Sequence, residues 1–582
     1  MPPQTDHDPW YLGLAHDQAC ACWLNCYLRE FALPRGTADL DYRGPDRPGA
    51  AALGGRWLRL DLAGAGHLCT RLLHVDKLGR CRFGSVPYLK RPGSGWRCLD
   101  SQGLARCLLQ TMGSAEEINP ELVAQSENSV AITALMLQHA QRAKPSGDWL
   151  LDAEQSMVWG HALHPTPKSR EGLALEEVAA CSPEARTSFP LFWFRVDARL
   201  RRQRGRDVST TLATLCGRDD LYPCHPWEAQ RLLDDPLLQQ AQAHGWISPV
   251  GPLGESLFPT SSVRTLFHPG LDYFLKCSVH VRMTNCVRKN AWYELESAVA
   301  MSTLLAPTWA ALSKQVDGFG IMLEPAATSL DFSGLAQDPV ATLRLAESFG
   351  ILYRQAIPTA QRQQWRPQVA GALFTRNARG DNACVPLMRQ LARQHGDNVH
   401  TTTLAWFGRY AGLLLDGAWH ALFDFGIVLE PHLQNTLIGF SAGWPARVWV
   451  RDLEGTKLIA SQWPAARLAG ISERVRESLH YSAEQGWNRV AYCTLVNNLA
   501  EAIFHLADGD AELEQALWDC VGDIARRWQK RNGPQPELQS LLQGAALPGK
   551  NNLGIRVLRR PDRQAGYTQL PNPIADASRS LQ

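Results

Sequence analysis

The period at which apolar residues recur changes several times along this chain, and that change limits the fold more than any other feature. Residues 10–31, WYLGLAHDQACACWLNCYLREF, repeat at helical spacing. Gly55–Leu62, Leu68–Val75 and Gly79–Leu89 are short, glycine-broken runs of the kind that build hairpins. Glu121–Ala143 is helical again and stops at Pro145-Ser146-Gly147. Asp272–Met283 is the clearest strand, in a middle third that mixes both periods. The pattern predicts a helix over Thr402–Phe423, strands at 426–439 and 446–452, helices at 485–506 and 511–531, and an extended tail from Gly549. Long segments of both kinds and no fixed-period repeat point to an α+β fold. At about 150 residues per domain, 582 residues make three or four units. Glycine and proline near 165–172 and 376–386 divide the chain as 1–165, 166–385 and 386–582, three lobes around one cleft.

Composition narrows the function. With 59 basic against 57 acidic side chains, the net charge of +2 lacks the basic excess of a general nucleic-acid binder. No stretch approaches twenty apolar residues, so no membrane-spanning helix is expected. The start, MPPQTDHDPWYLGLAHD, has neither the basic residues nor the apolar run of a secretion signal, and a cytoplasmic protein is expected. The 15 cysteines are scattered, and Cys20, Cys22 and Cys26 do not space as a paired zinc site. Positions 19, 22, 23, 26 and 27 share a helical face, which predicts buried free thiols.

Three segments carry chemistry. In DYFLKCSVHVRMT, Leu275, Cys277, Val279, Val281 and Met283 alternate with Lys276, Ser278, His280, Arg282 and Thr284, so one strand face should carry a lysine, an arginine and hydroxyls, with Arg288 just beyond. A lysine there suits a phosphate oxygen as a point charge. Upstream, PTSSVRTL offers Ser261, Ser262, Arg264 and Thr265, an inventory for holding phosphates without a glycine-rich loop. Downstream, LEPHLQNTLI packs Glu430, His432, Gln434 and Asn435 into six positions, and Asp452 ends a second alternating run in VWVRDLEG. Asn and Asp are hard oxygen ligands of the kind that hold magnesium with nucleotide phosphates, and kinases pair an Asn with a later Asp for the same purpose. Asp424-Phe425-Gly426 precedes that pair rather than following it and reads as a helix end capped by Gly426. No GxxxxGK[ST] or GxGxxG motif occurs, and His161 and His164 have no zinc partner at a diagnostic spacing.

Taken in order, GHALHPTPKSREG (160–172), YPCHPWEAQ (222–230), PTSSVRTL (259–266), KCSVHVRMTNCVRKN (276–290), LEPHLQNTL (429–437) and RDLEG (451–455), with Asn572-Pro573 near the end, resemble the NRPS-independent siderophore synthetases of the aerobactin-synthetase, IucA/IucC type. The resemblance runs from about residue 120 onward. It implies a hand-like architecture: thumb (1–165), fingers (166–385) and a distantly kinase-like palm (386–582). It implies an ATP- and magnesium-dependent ligase that adenylates a carboxylate of citrate or a related polycarboxylate, releases pyrophosphate, and condenses the product with an amine or alcohol. Homodimers are common in the family. Such chemistry brings two anions together, so cations must gather. On this reading Ser262, Arg264, Thr265 and Lys276 hold phosphates, with His161, Lys168 and Gln434 as further nucleotide contacts. Arg288 and His432 stand between the polycarboxylate and the α-phosphate, and with Lys276 form the catalytic set. Thr284 and Asn285 bind the carboxylate substrate, and Glu430, Asn435 and Asp452 hold magnesium. His225 is expected to shape a turn. Leu433 stands where many members have glycine. Two other classes stay open: a kinase-like small-molecule phosphotransferase making ADP, and a siderophore-binding or reductase-like protein. Within the ligase reading, 2-oxoglutarate and a citrate monoamide are alternative acids.

Overall fold

In the computed structural model, residues 9–45, 54–62, 64–112, 119–283, 286–560 and 564–574 are described. Thr284 and Asn285, expected to bind the carboxylate substrate, lie outside the described residues.

The N-terminal helix Pro9–Tyr27 runs on through a π-helical turn, Leu28–Ala32. Its buried face carries Ala19, Cys22, Trp23, Cys26 and Tyr27, and Cys20, Cys22 and Cys26 are free thiols. It packs with Ser101–Leu109 over an antiparallel sheet in the order Ala38–Tyr42, Arg56–Asp61, His67–Val75, Tyr88–Lys90, Trp96–Cys98, with Cys81–Phe83 also on His67–Val75. The predicted helix at 121–143 forms as Glu121–Arg142.

The middle of the chain builds an antiparallel sheet of eight strands in the order Arg201–Gly205, Ala326–Leu330, Ile351–Gln355, Tyr273–Cys277, Thr265–Phe267, Ile247–Pro259, Phe189–Val196, Leu221–Cys224. Tyr273–Cys277 therefore lies in the interior of the sheet. The single strand expected over 272–283 breaks at Ser278. Ser278 Oγ donates to Glu347 O at 2.5 Å and accepts from Asn290 N at 2.9 Å, and the chain leaves the sheet. Val279–Met283 pairs instead with Cys286–Arg288 in a separate hairpin. Alternation alone cannot show this break, because Phe274 to Val279 are all buried whichever way they point.

The last third centres on the strands Phe319–Ile321, Trp444–Val450, Thr436–Ser441 and Gln368–Val369. Helices Val399–Trp419 and Ala511–Asn532 pack there, with a long helical run from Ala483 to Ala507 that is π-helical over Tyr492–Leu499. The largest apolar core joins residues on both sides of 385, from Met301, Trp309 and Phe319 to Trp406, Leu495 and Trp528. The tail returns to the N-terminal lobe: Glu30 accepts the amides of Asn552, Leu553 and Gly554 at 2.7 to 2.8 Å, and Leu553 and Val557 enter that lobe's core. Gly426 ends the helical segment after His420–Asp424 with φ of 64°, as expected of a cap. No described helix is long and apolar enough to cross a membrane.

Candidate active site

Strand register explains why distant residues meet. Lys276 lies opposite Thr265 on one side and Leu352 on the other, and Phe274 lies opposite Arg354. Residues two apart share a face, so Thr265, Lys276 and Arg354 project together while Leu275, Cys277 and Tyr353 fill the core behind. That face meets the turn after Trp444–Val450. Lys276 Nζ donates to Asp452 Oδ1 at 2.5 Å and to Glu454 Oε2 at 2.7 Å, and Arg354 Nη2 reaches Asp452 Oδ1 at 3.0 Å. Arg264 Nη2 lies 3.7 Å from Glu454 Oε2. Behind them Glu324 accepts from Arg354 at 2.7 Å and from the Leu453 amide at 3.0 Å. Against the cost of burial, Lys276 and Arg354 hold the Asp452 carboxyl far below the usual range, and Asp452 and Glu454 raise the Lys276 ammonium above its own.

Two residues here have left-handed backbones that side chains disfavour. Asp452 has φ 80°, and Val263 has φ 69° in a tight turn closed by Arg264 N to Ser262 O at 2.8 Å. Such strain persists only where surroundings over-determine it. Around Val263 they do: Ser262 Oγ donates to Thr265 Oγ1 at 2.7 Å, and Ser261 donates to Glu154 Oε2 at 2.8 Å. Glu154 also pairs with Arg451, whose Nη2 donates to Gln434 O at 2.8 Å. Arg264 is steered from its other side by Asn290 Oδ1.

All of this opens into one cavity of about 810 Å³, and every described residue of the expected site lines it. His432 and His161 share its wall. Burial lowers both imidazoles, His161 to about 3, so both are neutral at pH 7. His161 Nδ1 accepts from the Leu163 amide at 3.0 Å, and Nε2 lies 2.8 Å from Asn497 Nδ2. Lys168 is turned toward protein partners: its ammonium pairs with Glu184 and donates to Met157 O at 2.5 Å. Against burial, Arg170 and Lys168 hold Glu184 down to about 2. His225 does not line the cavity. It caps the helix Pro226–Leu233, its Nδ1 accepting from the Trp227 amide at 3.2 Å.

Among the described residues, no three His, Cys, Asp or Glu side chains gather as a ready metal cluster. Glu430, Asn435 and Asp452 do line the cavity together, and Glu430 abuts Gly455 while pairing with Arg489. Two carboxylates and an amide suit magnesium carried in on phosphates better than an all-protein cage. Glu154, Glu324, Arg354 and Arg489 were missed from sequence, and so was Asn290, although it closes KCSVHVRMTNCVRKN. Glu454 and Arg451 had a signal, since they flank Asp452 within RDLEG.

Residues 150–375 match the IucA / IucC family model, and residues 404–565 match that of the ferric iron reductase FhuF-like transporter. An L-2,3-diaminopropanoate–citrate ligase of Staphylococcus aureus is 28% identical over 78% of this chain and 79% of its own. A spermidine-citrate ligase of Bacillus anthracis is 27% identical over 73% of each. The fold matches that of ATP-bound aerobactin synthetase IucA from Klebsiella pneumoniae with a TM-score of 0.80, at 22% identity, over 96% of this chain and 99% of that one. The motif-bearing middle of the chain is thus similar to the IucA / IucC family, citrate ligases align over most of their length, and the fold is that of the aerobactin synthetase IucA.

Proposed function

We propose that the protein is a siderophore-biosynthesis ligase that adenylates a carboxyl group of citrate, or of a citrate derivative, and passes the acyl group to an amine. A carboxylate oxygen attacks the α-phosphorus of ATP and the bond to the β-phosphate breaks, releasing pyrophosphate. The amine then attacks the acyl carbon, loses a proton, and AMP leaves. The observation that carries this reading is the convergence of Arg264, Lys276 and Arg354 with Asp452 and Glu454 at one wall of the cavity. In the reading, Arg264 and Lys276 exchange their carboxylate partners for phosphate oxygens, and Ser262 and Thr265 donate beside them. His161, Gln434 and, once released from Glu184, Lys168 are further nucleotide contacts. Arg288 meets charge developing between the two anions, with neutral His432 as a hydrogen-bonding partner there rather than a cation. Magnesium, when bound, neutralises phosphate charge, and Glu430, Asn435 and Asp452 would hold it. The thumb, fingers and palm division at 165 and 385, and a homodimer, belong to the same proposal.

The decisive experiment offers ATP, magnesium and a panel of carboxylic acids, with hydroxylamine as surrogate nucleophile. Citrate-dependent pyrophosphate, AMP and hydroxamate are expected. Formation of ADP would establish the phosphotransferase instead, preference for 2-oxoglutarate would overturn the choice of acid, and no acid-dependent turnover would overturn the ligase.

A further inference from the structure

The cavity continues away from the Lys276–Asp452 wall toward the N-terminal helix, and the chemistry of that far chamber differs. Its walls include Gln18 and Cys22 of Pro9–Tyr27, Arg80 and Arg82, Arg376, and the helix Ala500–Ala507. Two of its arginines are satisfied: Arg80 pairs with Glu501 and lies 3.9 Å from the Phe504 ring centre, and Arg82 pairs with Asp508 at 3.0 Å. Two others are not matched by an acid. Arg376 is open to the solvent of the cavity; its Nη2 donates to Gln18 Oε1 at 3.2 Å, its guanidinium lies 5.5 Å from the Trp159 ring centre, and among the described residues no carboxylate comes within ion-pair distance. Arg29 also lines the cavity, is 7% exposed, and has no carboxylate of the described residues within that distance. It sits on the π-helical turn Leu28–Ala32. Such turns are rare and often mark functional sites, and a second one, Tyr492–Leu499, also faces the cavity. Burial, then Arg80 and Arg82, depress the Arg376 guanidinium, while Asp17, which also lines the cavity but lies beyond ion-pair distance, opposes them. Buried His505 adds no charge: burial and the three arginines keep it neutral, and among the described residues its Nδ1 has no hydrogen-bond partner.

A planar guanidinium that faces a cavity with no described carboxylate in ion-pair distance is a fork for a carboxylate. In the ligase reading, on which this inference rests, the nucleotide and the polycarboxylate are met by Arg264, Lys276 and Arg288 on the other side. The substrate left to seat is the amine. We propose that the Arg29 and Arg376 chamber is the amine donor's seat, and that it selects donors carrying a carboxylate, amino-acid-type diamines rather than plain polyamines. Relatives named for both kinds of donor exist, so family membership does not decide the matter. Gln18, which holds Arg376, and Arg29 are eleven positions apart on one helical run, about 16 Å at 1.5 Å per residue.

The test uses the full-length protein with citrate and ATP, and donor pairs that differ by one carboxylate: L-2,3-diaminopropanoate against ethylenediamine, and L-lysine against cadaverine. Amine-dependent condensation is measured as kcat/KM, each value divided by the same preparation's hydroxylamine-trapped rate. The carboxylated member of at least one pair should win about tenfold or more, the worth of a charge-assisted hydrogen bond. That preference should shrink toward unity in Arg376→Met or Arg29→Met, chiefly through KM, and return in part in the lysine variant of the same position. Equal or better use of the decarboxylated donors, no acceleration by either carboxylated donor, or a preference that survives both variants would overturn the assignment. Absence of citrate-dependent hydroxamate would instead remove the ligase reading beneath it.

Discussion

Lys276 shows how much a single residue depends on its surroundings. Its ammonium is enclosed by protein yet charged, because Asp452 and Glu454 offset the burial that would otherwise neutralise it. In Lys276→Met the two carboxylates keep Arg354 and Arg264 but lose their shared cation. Citrate-dependent pyrophosphate release should fall about 100-fold or more, as when an electrostatic contact to a transition state is removed. The melting temperature should also drop, since breaking a paired charge costs about 1–3 kcal/mol. A variant with parental pyrophosphate release would remove Lys276 from the site. The residue type and strand parity were readable in sequence. Its acidic partners were only half readable, Asp452 as a magnesium ligand and Glu454 as an unassigned part of RDLEG.

At the scale of elements, the informative feature is the break after Cys277. Asn290 holds it: its Nδ2 donates to Lys276 O and Gly350 O, both at 2.9 Å, its amide donates to Ser278 Oγ at 2.9 Å, and its Oδ1 accepts from Arg264. One side chain therefore joins the sheet interior, the hairpin of Arg288 and the guanidinium expected on phosphate. Asn290→Ala removes the bonds to Lys276 O, to Gly350 O (which keeps the Ser278 amide at 3.1 Å) and to Arg264 (which keeps Arg288 O at 3.3 Å), at a cost of about 1–3 kcal/mol. We expect a lower melting temperature together with a raised KM for ATP. Asn290→Asp should not rescue either, because a carboxylate would face the two carbonyl oxygens. Parental KM in a destabilised Asn290→Ala would show that Arg264 needs no such steering. The helices at 121–143, 402–423 and 511–531 were legible because each keeps one apolar period over its length. The break was not legible, because an interior strand is apolar on both faces and its end is set by partners far along the chain.

Across the whole molecule, the lobes are tied by buried ion pairs between remote segments. Glu154 and Arg451, 297 positions apart, are both almost wholly buried, and Ser261 completes the junction. Arg451→Met strands the Glu154 charge and should cost about 3–5 kcal/mol, whereas replacing both partners with Met should recover much of that loss. The pH dependence has a definite sign. Against burial, Arg451 and Ser261 hold the Glu154 carboxyl below its ordinary value, so its stabilisation is present above the usual carboxylate range and is lost as pH falls from that range through the lowered folded-state value. Between pH 6 and pH 3 the double variant should therefore lose less stability than the parent. An equal loss in a denaturant titration at the two pH values would contradict the linkage.

Sequence alone determined the alternation of helical and extended segments, the gathering of phosphate- and metal-type residues into three short motifs, and through them the family resemblance. These are local properties, written in residue type and spacing. Only the tertiary structure decided which charges face one another, that Lys168 is turned to Glu184, and that Arg29 and Arg376 line the cavity with no carboxylate of the described residues in ion-pair distance. Such pairings join positions hundreds of residues apart, and their energy depends on burial, which no run of neighbouring residues records.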